Sequence, residues 1–194
     1  MPSPTKIVIV GAGFGGIALA KALRRMPVKV TLIDRNNYHN FQPLLYQVAT
    51  GGLEPDSIAY PIRRIFRNQR NMTCRMAQVH SVEWERNRIH TSIGTIGYDY
   101  LVLATGSATN FFNFDTVKDR LLTLKSVPDA LNIRSYIYQN LEKALANYSG
   151  ESLEEIMNIA IVGGGPAGLA TAIRAAQTGL QVVLVERYPM LQKL

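Results

Sequence analysis

The apolar positions of this chain fall into short unbroken runs, separated by stretches with helical spacing. Ile7–Val10 (IVIV) and Val28–Ile33 are such runs. An apolar run of about four to eight residues reads as a strand buried on both faces, as in a parallel sheet. Between the two, Ile17–Arg25 is rich in Ala and Leu and predicts a helix. Met72–Gln78 predicts a third strand. Val79–Glu85 and Arg88–Ser92 follow as strands about a turn at Asn87, and Gly94 and Gly97 mark another turn. Tyr100–Ala104 (YLVLA) predicts one more buried strand. Pro55–Arg67 predicts a helix. A longer helix opens at Ser126, a good N-cap, and carries Ala130, Leu131, Ile133, Ile137, Leu141 and Leu145 as a core-facing stripe. It is expected to end at Asn147–Gly150, before the acidic linker Glu151–Glu155. Phe111, Phe112 and Phe114 are expected to lie buried under the sheet.

The first run is followed by Gly11, Gly13 and Gly16 at GxGxxG spacing, with Phe14 and Gly15 between them. In such a motif the first glycine permits a tight turn. The second lets backbone approach a pyrophosphate, and the third lets helix and strand pack closely. The helix N-terminus would face the phosphates. Asp34, at the end of the second run, can accept the hydroxyl protons of an adenosine ribose. Strand, glycines, helix, strand and terminal acid in this order are far more specific than the glycines alone.

Ile159–Arg187 repeats Ile7–Arg35 at an offset of 152, with 11 of 29 residues identical. Its glycines are Gly163, Gly165 and Gly168, and its terminal acid is Glu186, 23 residues after the first glycine in both copies. Two such units predict an α/β, Rossmann-like FAD/NAD(P)-binding fold: a parallel sheet with a small antiparallel meander, then the start of a second unit. Glu186 favours NADH over NADPH, because a carboxylate repels a 2′-phosphate. Two dinucleotides side by side suit hydride transfer from a nicotinamide to a flavin.

Composition narrows this further. The chain has 194 residues, 47% of them hydrophobic and 18% charged, enough for one large or two small domains. The single cysteine, Cys74, excludes an internal disulfide, a CxxC pair and a cysteine-based metal site, so no metal is expected. No N-terminal run is long enough for a signal peptide or a membrane span. The formal charge of +7 is scattered, apart from Arg63, Arg64, Arg67, Arg70 and Arg75. A solvated helix face accounts for that cluster, with an anionic cofactor or membrane surface as the next reading. No nucleic-acid recognition motif accompanies it. Phe41–Leu53 (FQPLLYQVATGGL) mixes aromatic, amide and apolar residues. It suits a short helix packed on the sheet and equally a wall of a flavin or apolar substrate pocket.

The run NYHNFQPLLYQVATGGLEPDSIAYPIRRIFR resembles the signature of the type II NADH dehydrogenases, the single-subunit, non-proton-pumping NADH:quinone oxidoreductases. The likeness continues through MAQVHSVEWERNRIHT, YDYLVLATGSATNFF and LKSVPDALNIRSYIYQNLEKAL, covering residues 6 to about 165. It implies FAD in the first unit and NADH in the second. Gly11, Gly13, Gly16, Asp34 and Arg35 would bind FAD, with Phe14 and Gly15 in the same loop. Ala77 and Val79 would lie near the adenine, and Ala104, Thr105 and Gly106 would line the cofactor. Gln42, Pro43 and Gln47 would lie near the isoalloxazine and the quinone approach. No catalytic acid or base is needed for the hydride step.

The resemblance also sets expectations for organisation. Residues 1–125 would form an FAD domain, 126–156 a connecting helix and linker, and 157–194 the start of an NADH domain. The family usually carries a glutamate in the helix after the second glycine motif, where this chain has Ala170. Its later FAD segment and membrane-anchoring amphipathic region have no counterpart in these 194 residues. The expectation is therefore an N-terminal part, soluble and cytoplasmic by itself, of an enzyme peripheral to the cytoplasmic face of the inner membrane. An uncovered strand edge would favour a homodimer. Two other readings remain: a ferredoxin- or rubredoxin-type flavoprotein reductase, and a non-catalytic flavin-binding fragment. A sulfide:quinone reductase would need several redox cysteines.

Overall fold

A computed structural model describes residues 3–109, 121–146, 158–162, 166–177 and 181–185. Within it the chain divides into two compact units, residues 1–40 with 59–108 and residues 41–58 with 109–194.

The first unit is built on four parallel strands: β1 (Thr5–Val10), β2 (Val28–Asp34), β5 (Met72–Met76) and β9 (Tyr100–Leu103), in the order β5-β2-β1-β9. The apolar runs lie where the sequence places them, and Val8, Ile9, Val30, Leu32 and Ile33 are almost fully buried. α1 (Phe14–Ala22) and α3 (Ile62–Ile65) cover one face, where Ile17, Ala20, Ile62 and Phe66 pack on Ile9, Val30 and Leu32. The other face packs Val8, Val10 and Ile33 against Ile89 of the antiparallel meander and against Ala77 and Tyr98, which flank it in sequence. That meander comprises β6 (Val79–Glu83), β7 (Arg88–Thr91) and β8 (Gly94–Gly97). A short antiparallel pair, β3 (Tyr38–Asn40) and β4 (Ala59–Pro61), completes the unit.

Four expectations change. α1 begins at Phe14, three residues early, and gives way to a 3-10 turn at Leu23–Arg25. Pro55–Arg67 is no single helix but a 3-10 turn (Pro55–Ser57), β4 and the one-turn α3. The cause is Pro61: it closes a strand and precedes the helix, where its missing N–H costs nothing. Gly94 and Gly97 bound a third meander strand, and the turn before it is the pair Ser92–Ile93, where Thr91 Oγ1 accepts from the Ile93 amide at 3.2 Å. YLVLA is not fully buried. β9 is an edge strand of the described sheet, and Tyr100 and Leu103 are exposed.

The second unit contains α2 (Leu45–Ala49), α4 (Val127–Ala146), the parallel pair β10 (Asn158–Val162) and β11 (Gln181–Val185), and α5 (Pro166–Gln177). Ser126 is the N-cap of α4: its Oγ accepts from the Asp129 amide at 3.3 Å, while Asp129 Oδ2 accepts from the Ser126 amide at 2.9 Å. This reciprocal box satisfies two helix-end donors. Ala130 and Ile137 of the predicted stripe are buried, and Ile133, Ile137 and Leu141 pack with Ala175 and Val182. The Leu145 side chain, Phe111, Phe112, Phe114, the expected helix end and the acidic linker lie outside the described residues. No described helix is long and apolar enough to cross a membrane.

Candidate dinucleotide-binding site

In an open parallel sheet, ligands bind outside the carboxyl ends of the strands, where the strand order reverses direction. Here β2 and β5 extend the sheet to one side of β1, and β9 lies on the other. The reversal therefore falls at the end of β1, where the glycine loop begins. Backbone hydrogen bonds stitch this edge together. The Gly11 amide donates to Ile33 O at 2.7 Å, Ala77 N to Asp34 O at 2.9 Å, and Ala104 N to Val10 O at 2.7 Å.

The four loop glycines divide into two pairs. Gly11 has φ +107°, in the region L-side chains avoid, and a Cβ there would fall on the Ala104 carbonyl. A Cβ on Gly16 would fall on the Gly11 carbonyl oxygen. The protein's own backbone thus explains both, and it gives the Ala104-Thr105-Gly106 segment a role: Ala104 seats the loop. Gly13 and Gly15 are different, with nothing within 4 Å of a Cβ at either position. α1 also starts with no side-chain cap and no acid in its first turn. The positive end of the helix dipole therefore meets no acid of its own first turn.

Asp34 joins the loop to β2. Its Oδ2 accepts from the Ala12 amide at 2.7 Å and its Oδ1 from the Asn36 amide at 2.8 Å. A carboxylate has about four acceptor positions, so these two bonds fix its orientation and leave capacity for two ribose hydroxyls. Arg35 beside it is exposed, Ala77 is buried at the end of β5, Val79 is half-buried at the start of β6, and Thr105 and Gly106 are exposed beyond β9. A small cavity beside Asp34 is lined by Asn36, Arg63, Cys74 and Arg75 among others. Burial pushes the Cys74 thiol above its ordinary pKa and Arg63 only partly offsets this, so the thiol is neutral at physiological pH.

His39 is a site residue that the sequence reading missed. Its Nδ1 lies 2.9 Å from the Ala12 carbonyl oxygen. A carbonyl can only accept, so Nδ1 carries the proton. The ring also meets Phe14 edge-on, with centroids 5.1 Å apart. The Ala12 peptide is therefore held through its N–H by Asp34 and through its C=O by His39. A histidine in a polar loop carries no signal of this in sequence.

The remaining predicted residues belong to the second unit. Gln42 and Pro43 are exposed in a 3-10 turn (Gln42–Leu44), and the Gln47 amide on α2 donates to the Tyr46 hydroxyl at 3.0 Å. Leu45, Val48 and Ala49 turn inward and are buried. Gly51 has φ +74°, and a Cβ there would fall on the Tyr138 hydroxyl. Part of this unusual segment is thus packing. Gly168 and position 170 lie in α5, while Gly163, Gly165 and Glu186 lie outside the described residues. No cluster of metal-ligating side chains occurs among the described residues.

A parallel sheet carrying a glycine loop, a helix N-terminus and an acid at its switch point defines a dinucleotide-binding α/β protein. The chain belongs to the pyridine nucleotide-disulphide oxidoreductase family, whose model matches residues 5–193. Among its relatives, the type II NADH:quinone oxidoreductase Ndh of Mycobacterium tuberculosis is 34% identical over 182 residues, covering 91% of this chain and 39% of the relative. The type II NADH:quinone oxidoreductase of Haemophilus influenzae is 35% identical over 195 residues, covering 84% and 43%. The structure of NDH2 from Plasmodium falciparum in complex with NADH superposes with a TM-score of 0.79 at 29% identity, covering 90% of this chain and 37% of that one. The chain thus spans about two fifths of the length of the curated relatives it matches.

Proposed function

We propose that this chain holds FAD on the Gly11–Asp34 cradle and NADH on the Gly163–Glu186 repeat, and serves an NADH:quinone oxidoreductase. The observation that carries the reading is the pair Gly13 and Gly15. They are open to a Cβ, beside a helix start that has no side-chain cap and no acid in its first turn. Their setting in a chain 34–35% identical to NADH:quinone oxidoreductases points to flavin chemistry.

The residues divide the work. Gly13 and Gly15 admit a pyrophosphate to the first turn of α1, with Phe14 between them. Gly11 and Gly16 hold the loop's shape. Asp34 orients the ribose, and His39 keeps the Ala12 peptide in place. Arg35, Ala77, Val79, Ala104, Thr105 and Gly106 surround the adenosine and pyrophosphate. Gln42, Pro43 and Gln47 are the candidates for contact with the flavin ring and the quinone. Gly163, Gly165, Gly168 and Glu186 receive NADH. FAD held there would supply an acceptor for the hydride of NADH and a donor of two electrons to a quinone, which with two protons becomes the quinol. Residues 1–125 form the flavin domain, 126–156 the connection and 157–194 the start of the nicotinamide domain. The enzyme works at the cytoplasmic face of the inner membrane.

The test is an absorption spectrum. Protein loaded with FAD should show a flavin band that bleaches on anaerobic NADH and recovers on adding a soluble quinone. A protein that takes up no FAD sinks the reading. FAD uptake without NADH-dependent bleaching would instead make this chain a flavin-binding portion only, a result its span of two fifths of its relatives would explain. Recovery with ferredoxin or rubredoxin but not quinone would reassign the acceptor.

A further inference from the structure

The arginine cluster has no single helix to decorate, and four of its five members go to two places. Arg63 and Arg75 line the cavity beside Asp34. Arg64 and Arg67 line a separate groove of about 490 Å³, together with Lys21 of α1, His39, Tyr60 and Ile65. No carboxylate forms an ion pair with Lys21, Arg64 or Arg67 among the described residues. The Arg64 guanidinium lies over the Tyr60 ring, 5.7 Å from its centroid. The ring face attracts the cation there, and the guanidinium keeps its N–H donors for an acceptor.

We infer that this groove binds a phosphate-bearing ligand, at a site that shares only His39 with the dinucleotide cradle. Three cations converge on one concave surface with no anion among them, so the field there attracts an anion. A phosphate group matches the donors. It brings up to two negative charges, and its oxygens accept both the fork of a guanidinium and the point charge of a lysine. A carboxylate brings one charge and two oxygens, too few for three cations. The groove's volume falls within the range of about 300–1,000 Å³ usual for small-ligand sites. Its Lys21 end lies seven residues along α1 from Phe14, about 10 Å from the helix N-terminus at 1.5 Å per residue. The phosphate belongs either to a soluble metabolite or to a lipid headgroup.

The experiment titrates inorganic phosphate and pyrophosphate into the full chain at constant ionic strength, with chloride as the exchanged anion. Calorimetry reads the affinity, and the Tyr60 ring resonances report the place, because Tyr60 lines the groove and not the glycine loop. Saturable binding that shifts the Tyr60 resonances is expected. The triple variant Lys21→Gln/Arg64→Gln/Arg67→Gln should bind about tenfold more weakly or worse, because each charge-assisted bond removed is among the stronger hydrogen bonds. All three side chains are exposed, and a circular-dichroism melt checks that the variant stays folded. Arg70→Gln, a change at an exposed cation outside the groove, should bind as the parent does. In a second arm the chain is sedimented with vesicles of phosphatidylcholine containing phosphatidic acid, or of phosphatidylcholine alone. Groove-dependent sedimentation with phosphatidic acid assigns the lipid source, and its absence beside phosphate binding assigns the soluble one. A Tyr60 shift that survives the triple variant, binding that never saturates, or binding that leaves Tyr60 unmoved overturns the site.

Discussion

The two copies of the dinucleotide unit share geometry and differ in burial. β1 pairs with β2 as Ile7↔Val30 and Val10↔Ile33; β10 pairs with β11 as Ile159↔Val182 and Val162↔Val185. Shifted by 152, these are the same pairs. The helices also begin at matching positions, Phe14 and Pro166. Yet Ile33 is fully buried, whereas Val185 at the equivalent position is 50% exposed. β2 is covered on its far side by β5 and on its faces by α1, α3 and the meander. Among the described residues β11 pairs only with β10. The motif thus sets strand register and helix start by itself. Burial, and with it stability, comes from the neighbours.

Substitutions can break this comparison in order of effect. Gly16→Ala drives a Cβ into the Gly11 carbonyl. It should cost about 3 kcal/mol or more, read as a lowered urea midpoint. Ile33→Ala should cost about 2–5 kcal/mol, whereas Val185→Ala should stay within about 0.5 kcal/mol. Equal costs would mean that the second copy is as well covered as the first. Asp34→Asn keeps one acceptor for two amides and should lose about 1–3 kcal/mol, along with FAD affinity. Gly15→Ala inverts the pattern. In open space on a helix it should stabilise the protein by up to about 1 kcal/mol, yet lower the FAD retained on purification. Unchanged FAD content would remove Gly15 from the cradle.

The smallest effect concerns Cys74. Burial raises its pKa above the ordinary 9.0, so the native state keeps a proton that the unfolded chain gives up. Stability from this group is complete below pH 9.0 and declines as pH rises through and above it. At pH 8, iodoacetamide should modify native Cys74 more slowly than the urea-unfolded chain. Equal rates would refute the burial.

How much of this was legible depends on where the physics is local. The strands and helix of both copies, and the loop of the first, could be read because apolar runs and glycine spacing act over a few residues. The Ser126 cap was readable for the same reason. The break at Pro55–Arg67 was missed because a basic amphipathic stretch outweighed one proline. YLVLA read as buried because composition does not tell an edge strand from a central one; only the strand order does. Gly11 and Gly16 could be assigned as glycines, but their partners could not. Ala104 is 93 residues from Gly11, and no periodicity connects them. His39 was invisible for a related reason, since its partner Ala12 lies 27 residues away across the fold.

The seat of Gly11 on Ala104 has a consequence for biosynthesis. The loop is translated some ninety residues before the strand that supports it. Chains emerge from the ribosome N-terminus first and fold as units. For that interval the nascent glycine loop has its residues but not its support, and contacts of long sequence separation are slow to form. Cofactor capture therefore waits on β9. A pause or cleavage before residue 100 would leave a chain with the full glycine motif and Asp34 but no fixed loop to receive a nucleotide.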